Sequence, residues 1–172
     1  MTSKAIKNME KDQLLEMIDI YAKNWLAMDG VWFQSVEKQY GMEEAVHHDE
    51  NAWRQFTVIE ANRIKSFLGL PDFAGVDGLK RALSLRLYAN INEDEIIVSG
   101  NQLIYRTLDC RVQNARKRKG MEFHPCKSVG MIEYTLFAQT IDPRFQCEVL
   151  SCFPDISDET CNCSWKFTLG VE

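Results

Sequence analysis

The stretch Glu95-Ile96-Ile97-Val98-Ser99-Gly100-Asn101-Gln102-Leu103-Ile104-Tyr105 divides the chain into two kinds of structure. Apolar, β-branched segments flank Gly100-Asn101, and a two-residue loop containing glycine is a strong short-range hairpin signal. The second strand alternates onward to about residue 113. Ile104, Leu108, Cys110 and Val112 fall on the expected inward face, and Thr107, Asp109, Arg111 and Gln113 on the other.

Before the hairpin the period is helical. Over residues 11–39, Ile18, Ala22, Trp25, Trp32 and Val36 recur at three/four spacing, with Asp12 as the expected N-cap and Gly41 as the stop. Gly30 inside this helix carries a penalty of ~1 kcal/mol. A second helix over 42–67 places Trp53, Phe56, Ile64 and Phe67 on its stripe, and Gly69-Leu70-Pro71-Asp72 ends it. Leu79, Leu83 and Leu87 predict a third helix over 77–90.

After the hairpin, Val129, Ile132, Phe137 and Ile141 predict a helix over 125–140, stopped by Asp142-Pro143. Two last strands, 145–152 and 161–169, enclose Phe153-Pro154-Asp155-Ile156-Ser157-Asp158. The expectation is an α+β fold, with three N-terminal helices packed on an antiparallel sheet of ββαββ order. It forms one domain over 1–172, with a helical layer at 11–90 and the ββαββ half at 91–172.

The 172 residues are 45% hydrophobic and 26% charged, which is ordinary globular composition. No run of eighteen apolar residues is present, so no membrane span is expected, and the first nine residues lack the apolar core of a signal peptide. A cytoplasmic protein follows, and its six cysteines then read as thiols, metal ligands or redox groups rather than structural disulfides. A net charge of −5 argues against nucleic acid as a partner.

His124-Pro125-Cys126-Lys127-Ser128-Val129-Gly130 places a cysteine at a helix start, just after Arg116-Lys117-Arg118-Lys119. Unpaired N–H groups and the helix dipole favour a thiolate or a bound anion there. If the last two strands pair about their loop, Cys152 opposes Cys161, and Cys163 follows on the same inward face. Glu148 also falls inward in that register, so it has a partner or the register is off by one.

Three readings of the cysteines compete. They are small buried hydrophobes; or some of Cys126, Cys152, Cys161 and Cys163, with His124, hold zinc; or Cys126 is a nucleophilic or redox thiol. The spacings differ from paired zinc knuckles, and no other cofactor is implied. The basic run is a solvated turn or an anion-attracting rim including Arg116.

Asp29 lies between Trp25 and Trp32 on an apolar stripe, and Glu60 between Phe56 and Ile64 with Arg63 three residues on. Buried carboxylates must be paired, hydrogen-bonded or protonated. Either Glu60 pairs with Arg63, or an acid sits at the stripe's edge in water, or Asp29 and Glu60 converge in a pocket walled by Trp25, Trp32, Trp53 and Phe56. His47 completes only one Glu-x-x-His pair with Glu44, too little for a di-metal bundle.

Through Ala22-Lys23-Asn24-Trp25-Leu26-Ala27-Met28-Asp29-Gly30-Val31-Trp32-Phe33, Phe123-His124-Pro125-Cys126-Lys127-Ser128-Val129-Gly130 and Cys161-x-Cys163-x-Trp165-x-Phe167, nearly the whole chain resembles a prokaryotic family of cytosolic proteins. That family is similar to the L-2-amino-thiazoline-4-carboxylic acid hydrolase-like proteins. The ββαββ half also resembles the 4-vinyl-reductase-type small-molecule-binding domain. The first similarity implies opening of a C–N bond in a small sulfur heterocycle, and the second a ligand pocket used for sensing. Neither carries an assigned catalytic set, so the site residues rest on the patterns above.

The expected function is binding of a small, anionic molecule between helical layer and sheet. Cys126 is the contacting thiol, and Asp29, Trp32, Trp53, Arg63 and Arg116 contact the ligand. The alternatives are hydrolysis of an amide, amidine or thiazoline, with Cys126 as nucleophile and His124 or Glu60 as base, and a cysteine–metal regulatory module. Trp25, Trp32 and Phe33 span more than one stripe of the first helix, so a homodimer through the first two helices is also expected.

Overall fold

The computed structural model describes residues 2–170, so Met1, Val171 and Glu172 of the expected 1–172 domain lie outside the described residues. A short helix α1 (Lys4–Lys7) precedes α2 (Lys11–Tyr40). Reciprocal side-chain bonds between Glu10 and Gln13 cap α2, so Glu10 takes the place expected of Asp12. The helix runs unbroken through Gly30, with Ala22 and Phe33 buried on either side of it. Gly41, at φ 91°, turns the chain into α3 (Met42–Leu68), and left-handed Gly69 ends it. Trp25 joins the two helices by stacking on Phe56 at 5.5 Å and meeting Trp53 and Tyr88 edge-on.

The third helix is shorter than its leucine spacing predicts. Helix α4 (Gly75–Leu83) stops, and a 3-10 turn follows at Leu87–Asn90. The cause is Arg86, which is extended (φ −61°, ψ 154°) and fully buried. Its guanidinium pairs with Glu60 at 3.3 Å and with Glu133, while the Leu87 N–H donates to Glu60 at 2.8 Å. Burying that cation between two carboxylates takes precedence over continuing a helix.

The hairpin forms where expected. Strands β1 (Glu93–Ser99) and β2 (Gln102–Asp109) meet at the Ser99–Gln102 pair, with Gly100 at φ 57°. Strand β2 is shorter than its alternation suggested, and it buries Leu103, Tyr105 and Thr107 rather than the Ile104 and Leu108 face. After Asp109 the chain enters a helix α5 (Arg111–Arg118), so Cys110 is a helix cap and not a strand residue.

Helix α6 (Lys127–Ile141) leads to β3 (Phe145–Cys152) and β4 (Cys163–Leu169). The sheet is antiparallel throughout, in order β1-β2-β4-β3. A bulge between Val149 and Ser151 resolves the Glu148 conflict, because the extra residue reverses the alternation. Glu148 therefore points outward to Lys166, while Cys152 turns inward opposite Cys163, not Cys161.

Helix α6 lies between the sheet and α3. Tyr134 stacks on Trp165 at 4.7 Å, and the Thr57 hydroxyl on α3 donates to the Glu133 carbonyl at 2.9 Å. Phe137, Ile141, Phe145, Leu103, Phe167 and Leu83 fill the core. The fold is thus α+β, with helices in the N-terminal half and the antiparallel sheet in the C-terminal half. Among the described residues no helix is long and apolar enough to cross a membrane.

Candidate functional site

A cavity of about 370 Å³ lies between α2 and α3 on one side and β2, α5 and α6 on the other. Trp53, Tyr88 and Trp165 supply apolar walls, and Asp29, Asp49, His124 and Cys126 supply polar groups. A few polar groups set in an aromatic cleft are the usual makeup of a small-molecule site.

Helix α5 and the segment after it place His124. Arg116, buried in α5, makes two hydrogen bonds to Glu37 of α2, at 2.8 and 2.6 Å, and so anchors α5 on the helical layer. Gln113, one turn earlier, holds the His124 backbone from both sides. Its amide donates to the His124 carbonyl at 2.8 Å, and its carbonyl accepts the His124 N–H at 3.0 Å. The ring then lies 4.6 Å from Phe33, with Nε2 at 3.1 Å from Asp49 Oδ2 on α3.

Cys126 is the N-cap of α6. The next residue fixes it: the Lys127 N–H donates to the Phe153 carbonyl at 3.1 Å, and Lys127 Nζ reaches Asp155 at 2.8 Å. These bonds join the start of α6 to the end of β3, and Cys126 Sγ comes to 3.6 Å from Cys152 Sγ. Gln113 Nε2 lies 3.6 Å from the Cys126 sulfur, and the His124 imidazole acts on the same thiol by its charge. The result brings Asp49, His124 and Cys126 together, with Asp49 bonded to the imidazole and the imidazole stabilising the thiolate.

The electrostatics follow from these contacts. The Cys152 S–H donated to Cys126 lowers the Cys126 thiol, His124 adds to the effect, and together they overcome burial and hold it at about 5. Cys152 is correspondingly raised, as the member of the pair that keeps its proton. Burial opposes a charged His124, but Asp49 and Cys126 outweigh it and raise the imidazole to about 9. At neutral pH the pair is therefore thiolate and imidazolium. Burial and the charge of Asp49 raise Asp29 to about 6. Burial pushes Cys110 and Cys147 up to about 12.

Several residues singled out from the sequence meet here: Cys126, His124, Asp29, Trp53 and Arg116 all line the cavity. Arg116 is a strut rather than an open anion site, since Glu37 and the Glu122 carbonyl occupy its guanidinium. Glu60 does not converge with Asp29. It is held by Arg86, not Arg63, and together with Arg63 it borders a separate shallow groove. Trp32 is 65% exposed on the outer side of α2, because Phe33 takes the inward position. His47 and His48 stay on the surface.

The sulfurs divide in the same way. Cys126, Cys152 and Cys163 face the cavity, whereas Cys161 lies in the β3–β4 loop, 3.5 Å from Asp158 Oδ2. Among the described residues no group of three or more His, Cys, Asp or Glu side chains is arranged to hold a metal ion.

Asp49 and Gln113 are the functional groups that the sequence reading missed. Asp49 had a signal, standing four residues before Trp53 on the stripe that leads to Thr57 and Glu60. Gln113 had none, because alternation assigned it to the outer face of a strand.

Fold and site together define a helix-covered α+β domain with a cysteine, a histidine and an aspartate in an aromatic cavity. The chain belongs to the family described as "Family of unknown function (DUF6125)", whose model matches residues 7–169. No curated protein matches the chain.

Proposed function

We propose that the protein is a cysteine-dependent hydrolase that opens a carbon–nitrogen bond in a small amide, amidine or thiazoline. The observation that carries this reading is that Cys126 and the Asp49-bonded His124 line one cavity of small-molecule size. The Cys126 thiolate attacks the electrophilic carbon, and the His124 imidazolium protonates the departing nitrogen. Neutral His124 then takes a proton from water as the water attacks the thioester or its amidine counterpart. Asp49 orients the ring and stabilises its charge. Gln113 Nε2 has one N–H engaged by the His124 carbonyl and a second near the sulfur, where charge develops on the substrate heteroatom.

The resemblance to the L-2-amino-thiazoline-4-carboxylic acid hydrolase-like proteins favours the same class of bond. The expectation of an anionic ligand rests on the helix start at Cys126 and on the basic run Arg116-Lys117-Arg118-Lys119. Arg116 is already paired to Glu37, and the cavity lining carries both signs of charge, Asp29 and Asp49 as well as Lys23, Arg111 and Lys119.

Two measurements test the reading. Purified protein is assayed for ammonia or thiol release from small amides, amidines and 2-aminothiazolines, and Cys126→Ala or His124→Ala should lower turnover by roughly 10²–10⁴. Iodoacetamide labelling, resolved by site, should modify Cys126 far faster than Cys110 or Cys147 at neutral pH. The Cys126 rate should be flat from pH 6 to 8 and fall as pH drops through about 5. Saturable binding without turnover would reassign the cavity to ligand capture. Cys126 labelling no faster than Cys110 would remove the nucleophile altogether.

A further inference from the structure

We infer that Cys126 and Cys152 form a peroxide-sensitive dithiol, in which a hydroperoxide oxidises Cys126 and Cys152 closes a disulfide that blocks the nucleophile. The inference rests on Cys126 being the reactive thiolate of the proposed function, and it concerns regulation of that same site.

The geometry is already close to the product. The two sulfurs are 3.6 Å apart, so bonding at ~2.05 Å needs an approach of about 1.5 Å by side-chain rotation. Their backbones are joined by the Lys127 N–H bond to the Phe153 carbonyl, and Lys127 Nζ reaches Asp155, which pairs with the Cys152 backbone. Both thiols border the cavity, with Cys126 partly exposed and Cys152 buried behind it. A small oxidant therefore reaches Cys126 first. The roles are unequal as well, because His124 stabilises the thiolate on Cys126 while Cys152 holds its proton. Cys110 and Cys163 also line the cavity, but the sulfur in contact with Cys126 is that of Cys152, and Cys161 lies in the loop beside Asp158.

The chemistry closes without a cofactor. The Cys126 thiolate attacks the outer oxygen of the hydroperoxide, the O–O bond breaks, and the His124 imidazolium protonates the departing alkoxide or hydroxide. Cys126 is then a sulfenic acid, oxidised by two electrons, and the peroxide is reduced to an alcohol or water. The Cys152 sulfur attacks the sulfenic sulfur, an S–S bond forms, and hydroxide leaves with the Cys152 proton as water. A thiol reductant returns both cysteines by exchange.

The test uses the reduced, full-length protein and an equimolar amount of hydrogen peroxide, followed by non-reducing peptide mapping. The expected product is a Cys126–Cys152 cross-linked pair that dithiothreitol reverses, with iodoacetamide labelling of Cys126 lost on oxidation and restored on reduction. In Cys152→Ser one equivalent should leave Cys126 as a sulfenic acid that dimedone traps, and a second equivalent should carry it on to the sulfinic acid. Because the wild-type protein gives the deciding result, a variant that fails to fold does not obscure it. A Cys152–Cys163 link, or sulfinic acid on Cys126 of the wild type, overturns the proposal. Fast alkylation of Cys126 with no cross-link overturns the dithiol and leaves the hydrolase reading standing. Slow alkylation with no cross-link sinks both.

Discussion

Asp29 faces the cavity from α2, where burial and the charge of Asp49 raise its carboxyl from 3.8 to about 6. A raised carboxyl binds its proton more tightly folded than unfolded, so the fold loses stability as pH rises from about 4 to 6 and stays penalised above that. At ~1.4 kcal/mol per pH unit, discounted for partial solvent contact, the penalty is on the order of 2 kcal/mol. Asp29→Asn should therefore raise the unfolding free energy by about that amount at pH 8, with the gain shrinking toward pH 4. Denaturant titrations at pH 8 and pH 5 read it, and equal effects at both would refute it. The sequence singled out Asp29 and Cys126 as residues whose types and neighbours demand an explanation, an acid on an apolar stripe and a thiol at a helix start. It grouped Cys152 with Cys126 only as a candidate metal ligand, and it assigned neither Asp49 nor Gln113 as a partner. Asp49, Gln113 and Cys152 lie on α3, α5 and β3, and only packing brings them together.

Two glycines test the account at the level of helices. In α2 a Cβ on Gly30 would meet nothing nearer than the end of the Gln34 side chain at 3.7 Å. Gly30→Ala should thus stabilise by up to ~1 kcal/mol, the helix-propensity difference. In α6 a Cβ on Gly130 would lie 2.5 Å from the buried Trp165 ring. Overpacking of that kind costs ~1–3 kcal/mol, which outweighs the propensity gain. Gly130→Ala should lower the melting temperature and shift Trp165 fluorescence, since the ring is driven toward the cavity. The two substitutions having the same sign would contradict the packing described here. Both glycines occupy helical positions, and nothing in the sequence separates them; the difference is which surface each helix turns toward the sheet. The same limit applies to β3, whose single-residue bulge corrected the placement of Glu148 and Cys152.

Across the whole molecule, Arg86 ties α3, the 3-10 turn and α6 together through Glu60 and Glu133, and it sits 5.0 and 4.9 Å over the Tyr134 and Phe137 rings. Arg86→Leu would leave two buried carboxylates without a counter-ion, a loss of about 3–5 kcal/mol. Burial already raises Glu133 to about 7 against the pull of Arg86. Removing the cation raises it further, so protonation relieves the strain and the loss should be smaller at pH 5 than at pH 8. Adding Glu60→Gln and Glu133→Gln should recover part of it, as thermal unfolding of the triple variant would show. Outside this core, Leu14, Ile18, Tyr21, Met28 and Trp32 leave an exposed apolar stripe along α2. A homodimer through α2 and α3 would cover it. Sedimentation at tens of micromolar should give twice the chain mass, and a Trp32→Lys variant should sediment as a monomer.

Periodicity alone determined the α+β class, the two long helices, the hairpin at Gly100-Asn101 and the last strand pair, because each is a local pattern of apolar spacing and turn residues. It also placed Cys126 at a helix start. The tertiary structure decided the rest. Arg86 ended the third helix to reach Glu60 and Glu133, and the chain left β2 at Cys110 so that Gln113 could hold His124. The β3 bulge turned Cys152 inward, and Asp49 met His124 across the cavity. Each of these rests on a buried charge, a buried polar group or a packed side chain seeking a partner far away in sequence. The energy of such a pairing depends on where the other element lies, which no local spacing encodes.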